Sequence, residues 1–375
     1  MKLLYVTDAL AIHGGLERVL TEKANWLSSQ QNYDVFLLTV NQGTHPLAFP
    51  LSPRVVFDDL NICFYQQYRY SALKRLWQRR RLHQKFRRLL AEKIGQTAPD
   101  VIICARLDYV KDLVKVKGNV PLVFESHSSR RASLIEGDGW LRRFHVWYLQ
   151  QAVKKAQMVV ALTEGDAEEW RKLIPKVRVA PDVVCLNDTG AYSDCKAKSV
   201  AFVGRFSKQK DIGSLLRIWM LVHHRYPDWH LHVYGGYGDE YEKWHAILQQ
   251  SDCNITVHDT TADIMERYLE HSMLIMTSRY EPFGLVLPEA MSCGLPVIAF
   301  DCPYGPKSIV SDGVDGYLVE PGNIEEFSDK VCALIENPVL RGKIGQAGVQ
   351  SSQRFRANVI MTCWKSLLDE ILLKK

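Results

Sequence analysis

Two carboxylates frame the most chemically loaded segment of the chain, Glu281-Pro-Phe-Gly-Leu-Val-Leu-Pro-Glu289. Between them, Phe283-Gly284-Leu285 reads as a turn that opens a helix. A helix start carries unpaired backbone N–H groups and the positive end of the helix dipole, a setting that suits phosphate. One carboxylate before that start and another one or two turns into it could hold the neutral hydroxyls of a sugar or a ribose. A second group lies upstream, where Val203-Gly204-Arg205-Phe206 ends an apolar run and Lys210 follows five residues after Arg205. Two cations at the end of a strand could neutralise a diphosphate as charge builds on it. Each piece alone has a plainer reading: surface carboxylates in one case, a solvated basic loop that includes Lys208 in the other. Together they point to a phosphorylated sugar.

Those side chains need elements to carry them. The apolar run 2–7 is followed by Gly14-Gly15 and then by Leu16, Val19, Leu20, Ala24 and Leu27 at helical spacing. Further buried strands are expected at 34–39, 101–104, 120–125 and 157–162, with helices between most of them. The segment 184–198 is polar, contains Asn-Asp and Gly, and reads as a linker. Strands then recur at 199–203, 230–234, 255–257, 273–277, 296–299 and 317–319. Alternating strands and helices predict parallel sheets covered on both faces. The expected organisation is therefore a Rossmann-like domain at 1–183, the linker, a second Rossmann-like domain at 199–355, and an amphipathic closing helix within 356–375. In open sheets of this kind ligands bind at the carboxyl ends of the strands, and two such domains facing each other would form a cleft.

Composition narrows the class. Apolar residues make up 47% of 375, ordinary for a globular chain. Lys2 is followed by only a short apolar run before Asp8, so no secretory signal is expected, and no run is long enough for a membrane-spanning helix. Nine scattered cysteines without Cys-x-x-Cys spacing argue against a disulfide framework or a zinc site, and for a reducing compartment. Residues 1–182 hold 28 Lys and Arg against 18 Asp and Glu, whereas the remainder holds 19 against 24. The basic half should face an anionic surface or substrate.

Taken together, the chain resembles the retaining GT-B glycosyltransferases of family 4. The matching pieces are Gly14-Gly15 with Glu17-Arg18, Val203-Gly204-Arg205 with Lys210, the Gly235-Gly236-Tyr237-Gly238 turn, and Glu281-x7-Glu289-Ala-Met-x-x-Gly-x-Pro-Val. The match is specific over 199–320 and loose over the first 180 residues. The resemblance implies that Arg205 and Lys210 contact the donor diphosphate, together with the backbone around Phe283, Gly284 and Leu285. It implies that Glu289 binds the ribose and that Glu281 contacts the transferred sugar. Gly204 and Gly235 would line the donor site, Gly14 and Gly15 would admit a donor or acceptor phosphate, and His127 would lie near the reacting sugar. Arg130 and Arg131 could meet an anionic acceptor. Three departures stand out: Asp211 follows Lys210 where glycine is usual, Pro282 often has glycine in its place, and Ala180-Pro181-Asp182 replaces a Pro-Asn-Pro turn. Asp211 would repel a diphosphate unless it points away. The chain lacks the Asp-x-Asp pair that metal-dependent sugar transferases of the other main fold use, so no metal and no cofactor is expected.

Residues 69–93 form a basic amphipathic segment, with nine Lys or Arg after Tyr70, including Arg79, Arg80 and Arg81, and Glu92 as its only acid. With Leu73, Leu76 and Trp77 it could lie on an anionic membrane; no nucleic-acid motif accompanies it. The expected activity is transfer of a hexose or N-acetylhexosamine from a nucleoside-diphosphate sugar, UDP-linked, to a lipid-linked or polysaccharide acceptor in bacterial surface polysaccharide biosynthesis. The protein would work at the inner face of the cell membrane. Alternatives are a nucleotide-sugar epimerase of the same fold, a dinucleotide oxidoreductase (for which no Gly-x-Gly-x-x-Gly is present), and an inactive membrane-associated partner.

Overall fold

The computed structural model describes residues 1–131, 139–261 and 263–373. The chain divides into two compact units, Met1–Val183 with Ala357–Lys375, and Val184–Arg356. Unit 1 is built on β1 (Lys2–Thr7), β2 (Asp34–Thr39), β3 (Val56–Asp59), β4 (Val101–Cys104), β5 (Leu122–Ser126), β6 (Met158–Ala161) and β7 (Val177–Val179). Their order across the sheet is β3-β2-β1-β4-β5-β6-β7, all parallel. β4, β5 and β6 are buried at every position, which explains the unbroken apolar sequences of β4 and β6; β5 is apolar up to Glu125 and Ser126. Helix Ala72–Thr97 presses only Phe86, Leu90 and Ile94 fully into this core.

The helix Ala357–Leu372 returns to unit 1 and packs on helix Gly15–Ser29. Its buried side chains, Ile360, Met361, Trp364, Leu367, Leu368 and Ile371, recur at the three- and four-residue spacing of one helix face. A bidentate pair fixes its far end, with Arg178 Nη2 and Nε donating to Glu370 at 2.8 and 3.1 Å.

Unit 2 repeats the plan with β8 (Ser199–Val203), β9 (His230–Tyr234), β10 (Ile255–His258), β11 (Met273–Met276), β12 (Val297–Phe300) and β13 (Gly316–Val319) in the order β10-β9-β8-β11-β12-β13. Both sheets reverse their strand order beside the first strand, at β1/β4 and at β8/β11. Loops leaving the two strands at such a point diverge to opposite faces and leave a crevice at their carboxyl ends. Residues 184–198 contain neither helix nor strand and are laid along unit 2: the Asn187 N–H donates to Ser292 Oγ at 3.0 Å, and Ser193 Oγ donates to the His271 carbonyl at 2.5 Å. Sequence periodicity misses β3 and β7, an edge strand with Val56 and Phe57 exposed and a strand of three residues.

Candidate functional site

In unit 2 the loop after β8 and the loop after β11 are zipped together at the sheet's reversal point. Thr277 Oγ1 donates to the Lys210 carbonyl at 2.9 Å, the Arg279 N–H to the Gln209 carbonyl at 2.8 Å, and Gln209 Nε2 to the Tyr280 carbonyl at 3.1 Å. This zipper delivers Lys210 Nζ to Glu281 Oε1 at 2.5 Å, with both side chains largely buried. Ser278 Oγ donates to the same oxygen at 2.8 Å. The Lys210 stem crosses Gly204, and Arg205 beside it is exposed. Gly235, at the end of β9, comes so close that a Cβ there would stand 1.9 Å from the Gly204 carbonyl oxygen. A larger residue would force the two loops apart.

Asp211 turns its carboxylate to its own helix and to Arg279. It sits at φ +50°, a left-handed conformation that Asp tolerates better than most residues, which accounts for its standing where glycine is usual. Its carboxylate caps helix Ile212–Arg225 by accepting from the Ser214 N–H and hydroxyl, and it accepts from Arg279 Nε at 3.0 Å. The acid is therefore occupied by its own helix and by a neutralising guanidinium.

The turn Phe283-Gly284-Leu285 does lead into a helix, Val286–Ser292, with Gly284 at φ +102°. Phe283 is buried with its ring edge-on to Phe355 at 5.3 Å, so only its backbone can meet a ligand. Glu289, in the first turn, is 5% exposed and accepts from Tyr268 Oη at 3.4 Å. The Glu281 carbonyl accepts from the N–H groups of Tyr304 and Gly305, both at 2.9 Å, and this anchors its backbone.

Unit 1 holds a second charged group. His127 follows β5, and its ring nitrogens face two carboxylates: Nε2 lies 3.2 Å from Glu125 Oε1, and Nδ1 lies 3.4 Å from Asp182 Oδ1. Lys23 Nζ, 1% exposed, pairs with the same Glu125 oxygen and lies 3.5 Å from the Trp364 ring centroid. Burial alone would raise the Glu125 carboxyl, but Lys23 and His127 override it and hold it at about 2. Burial alone would lower His127, and Glu125 and Asp182 bring it up to about 9. For Lys23 burial prevails over Glu125 and lowers the ammonium. Glu125, His127 and Asp182 offer donor atoms within 4.8 Å of one another, the spacing of a metal trio. The Lys23 ammonium already lies on Glu125, however, and the group reads as an ion cluster. Gly14 caps helix Gly15–Ser29 in an ordinary extended conformation.

The remaining cations of unit 1 divide. Arg130 Nη1 donates to the Glu169 carbonyl at 3.0 Å, so it is engaged within the unit, whereas Arg131 is exposed. Arg79 Nη2 meets His145 Nε2 at 3.2 Å, Arg81 lies over the Trp77 ring at 5.7 Å, and Arg80 is exposed.

Sequence reasoning missed Lys23, Glu125 and Asp182. Lys23 carries a signal: it stands three residues after Leu20 and four before Leu27, on the buried face of its helix, where an unpaired charge is costly. It also missed a polar face on unit 2. His230, His232 and Tyr234 alternate along β9 and meet His258 of β10 and His271. His232 Nδ1 lies 2.9 Å from His258 Nε2, and His271 contacts Ser199 Oγ and Tyr234 Oη, each at 2.9 Å. Burial, reinforced by the neighbouring imidazoles, lowers His232 to about 4 and His271 to about 3.

Two family models match the chain in succession, Glycosyltransferase Family 4 over residues 13–187 and Glycosyl transferases group 1 over residues 192–351. The amylovoran biosynthesis glycosyltransferase AmsD of Erwinia amylovora is 27% identical over 98% of this chain and 99% of its own. Among solved structures, a sucrose-phosphate synthase from Thermosynechococcus elongatus superposes with a TM-score of 0.83 at 17% identity, covering 100% of both chains. A variant of S. aureus TarM in complex with Fondaparinux, alpha-GlcNAc-glycerol and UDP superposes at 0.78 with 15% identity, covering 98% of this chain and 99% of that one. With two parallel sheets that each reverse order at the first strand, and family models on both halves, the chain belongs to the GT-B glycosyltransferases.

Proposed function

We propose that this enzyme transfers a hexose or N-acetylhexosamine from UDP to a lipid-linked or polysaccharide acceptor, with retention of anomeric configuration, in bacterial surface polysaccharide biosynthesis. The observation that carries the reading is the Lys210–Glu281 pair, held by interlocked loops at the carboxyl ends of β8 and β11. A diphosphate entering there would draw the Lys210 ammonium and Arg205 and leave Glu281 to accept from hydroxyls of the transferred sugar. Backbone N–H groups at Gly284 and Leu285 would add to the diphosphate's hold, and Glu289 would accept from the ribose. As the bond from the anomeric carbon to the diphosphate oxygen breaks, the acceptor oxygen bonds to that carbon on the same face. The acceptor proton passes to the departing phosphate. The fixed cations stabilise the charge that appears on that phosphate. The amylovoran relative supports a polysaccharide product, and the UDP bound to TarM supports the donor.

The acceptor reading rests on unit 1. Helix Ala72–Thr97 exposes Leu73, Leu76 and Trp77 beside Arg75, Arg79 and Arg80, and helix Trp140–Val153 exposes Trp140, Leu141, Phe144 and Trp147. Arg79 and His145 join the two helices. Aromatic and basic groups interleaved in this way suit the headgroup layer of an anionic membrane. Among the described residues no helix is long and apolar enough to cross a membrane.

The deciding experiment measures nucleoside-diphosphate release over a panel of donors, with and without bacterial lipid extract. Release from a UDP-sugar that the extract accelerates is expected, with the donor's anomeric configuration kept in the product and no loss of rate in EDTA. If Lys210→Ala and Glu289→Ala both transfer sugar at wild-type rates, the reading is wrong.

A further inference from the structure

Lys23 lies in the first helix of unit 1, places its amine on a face that packs inward, and belongs to no motif quoted above. Its ammonium holds Glu125 Oε1, the oxygen that also faces His127 Nε2, while Asp182 faces Nδ1 from the other side. A neutral imidazole has one N–H and one lone pair. Placed here, its lone pair would stand 3.2 or 3.4 Å from a carboxylate oxygen whichever tautomer it adopted. With the side chain only 8% exposed, water cannot relieve that repulsion. Only the doubly protonated ring sets a positive charge between the two carboxylates. The Trp364 ring over the ammonium and the Lys23–Glu125 contact keep Glu125 from turning away.

We infer that Glu125 and Asp182 are positioning residues that hold His127 as an imidazolium, with Lys23 keeping Glu125 in place, so that in the proposed transfer His127 acts as a fixed positive charge and not as a general base. The inference deepens the sugar-transfer reading and rests on it for the role of His127 in transfer. The charge state itself can be read without any substrate. The groups that face His127 are Glu125 from β5 and Asp182 from the segment after β7, with Lys23 from helix Gly15–Ser29 and Tyr5 from β1 meeting Glu125. The balance of burial against the two carboxylates raises His127, in agreement with the geometry.

The test is a histidine-selective nitrogen-15 NMR titration of the full chain from pH 6 to 10, with His127 assigned by its loss in His127→Gln. Both ring nitrogens should keep imidazolium shifts through pH 8. Asp182→Asn should lower the midpoint by about one unit or more, a tenfold or greater loss of proton affinity, while Lys23→Met should not lower it. The pH profile of donor turnover should show an alkaline limb that moves down in Asp182→Asn and returns in Asp182→Glu. A wild-type midpoint at or below the ordinary histidine value overturns the inference even if the enzyme transfers sugar. So does an acidic limb near neutrality that disappears in His127→Gln. Should Asp182→Asn fail to fold, the wild-type titration still decides. An imidazolium in a chain that turns over no donor would sink the sugar-transfer reading and leave the assigned charge state standing.

Discussion

Acidification should destabilise unit 2 well before its carboxylates titrate, because of the histidines on β9, β10 and His271. A histidine whose folded value is depressed binds fewer protons when folded than when unfolded. Stability therefore rises with pH across the gap, is fully present above about 6.5, and is lost as pH falls toward the folded value. At pH 5 the medium is about 1.5 units below the ordinary value, so a group still neutral in the folded protein costs about 2 kcal/mol. His271, 2% exposed and lowered to about 3, should count in full. His232, lowered to about 4, is only half-buried, and solvent screening reduces its share to about 1 kcal/mol. Between pH 7.5 and 5 unit 2 should lose about 3 kcal/mol. With a urea slope of about 2 kcal/mol per molar, its midpoint falls by about 1.5 M. Urea titration read by hydrogen-exchange mass spectrometry on β9 and β11 peptides isolates this unit. The double variant His232→Gln/His271→Gln keeps hydrogen-bonding side chains but removes both titrations, and its midpoint should be nearly flat over the same range. A wild-type midpoint that moves by less than about 0.3 M, or a double variant as pH-sensitive as the parent, would refute the argument.

Other outcomes follow from single contacts. Lys210→Ala should lower kcat by about 100- to 1,000-fold in a donor-release assay, the usual loss when a charge-stabilising group is removed, with a smaller change in KM. Asp211→Ala removes a helix cap and strands Arg279; thermal melts should show a loss of about 1–2 kcal/mol. Because His127 is raised to about 9, its contribution to unit 1 is present below about 6.5 and lost as pH climbs through 9. Hydrogen exchange between about pH 7 and 8.5 should therefore show unit 1 loosening, and His127→Gln should remove that change. Replacing Arg79, Arg80 and Arg81 with Gln should weaken sedimentation with phosphatidylglycerol vesicles, each charge contributing on the order of 1 kcal/mol, and Trp77→Ser with Phe144→Ser should weaken it further at high salt.

The two sheets were legible because their central strands are unbroken apolar runs between helical patterns: Val101–Cys104, Met158–Ala161 and Met273–Met276 declare themselves. Val56–Asp59 does not, since an edge strand with exposed side chains has no burial pattern to display. Lys210 and Glu281 could be picked out by residue type and motif spacing, but their mutual contact depends on loop pairing across 71 positions. Glu125, His127 and Asp182 show the limit more sharply. Glu125 and His127 stand two positions apart, yet Asp182 and Lys23 arrive from other elements, and nothing local marks their convergence. The role of Asp211 turned on a backbone angle, which no residue pattern states.

The return of helix Ala357–Leu372 to unit 1 also orders events during synthesis. Every residue of unit 2 leaves the ribosome before Trp364 does, so unit 2 can close while Lys23 and Glu125 still lack their cover. Until that helix arrives, the cavity it fills is open to water and the ammonium stays hydrated. Released chains that end at residue 356 should therefore carry a protease-resistant second half and a first half that remains susceptible.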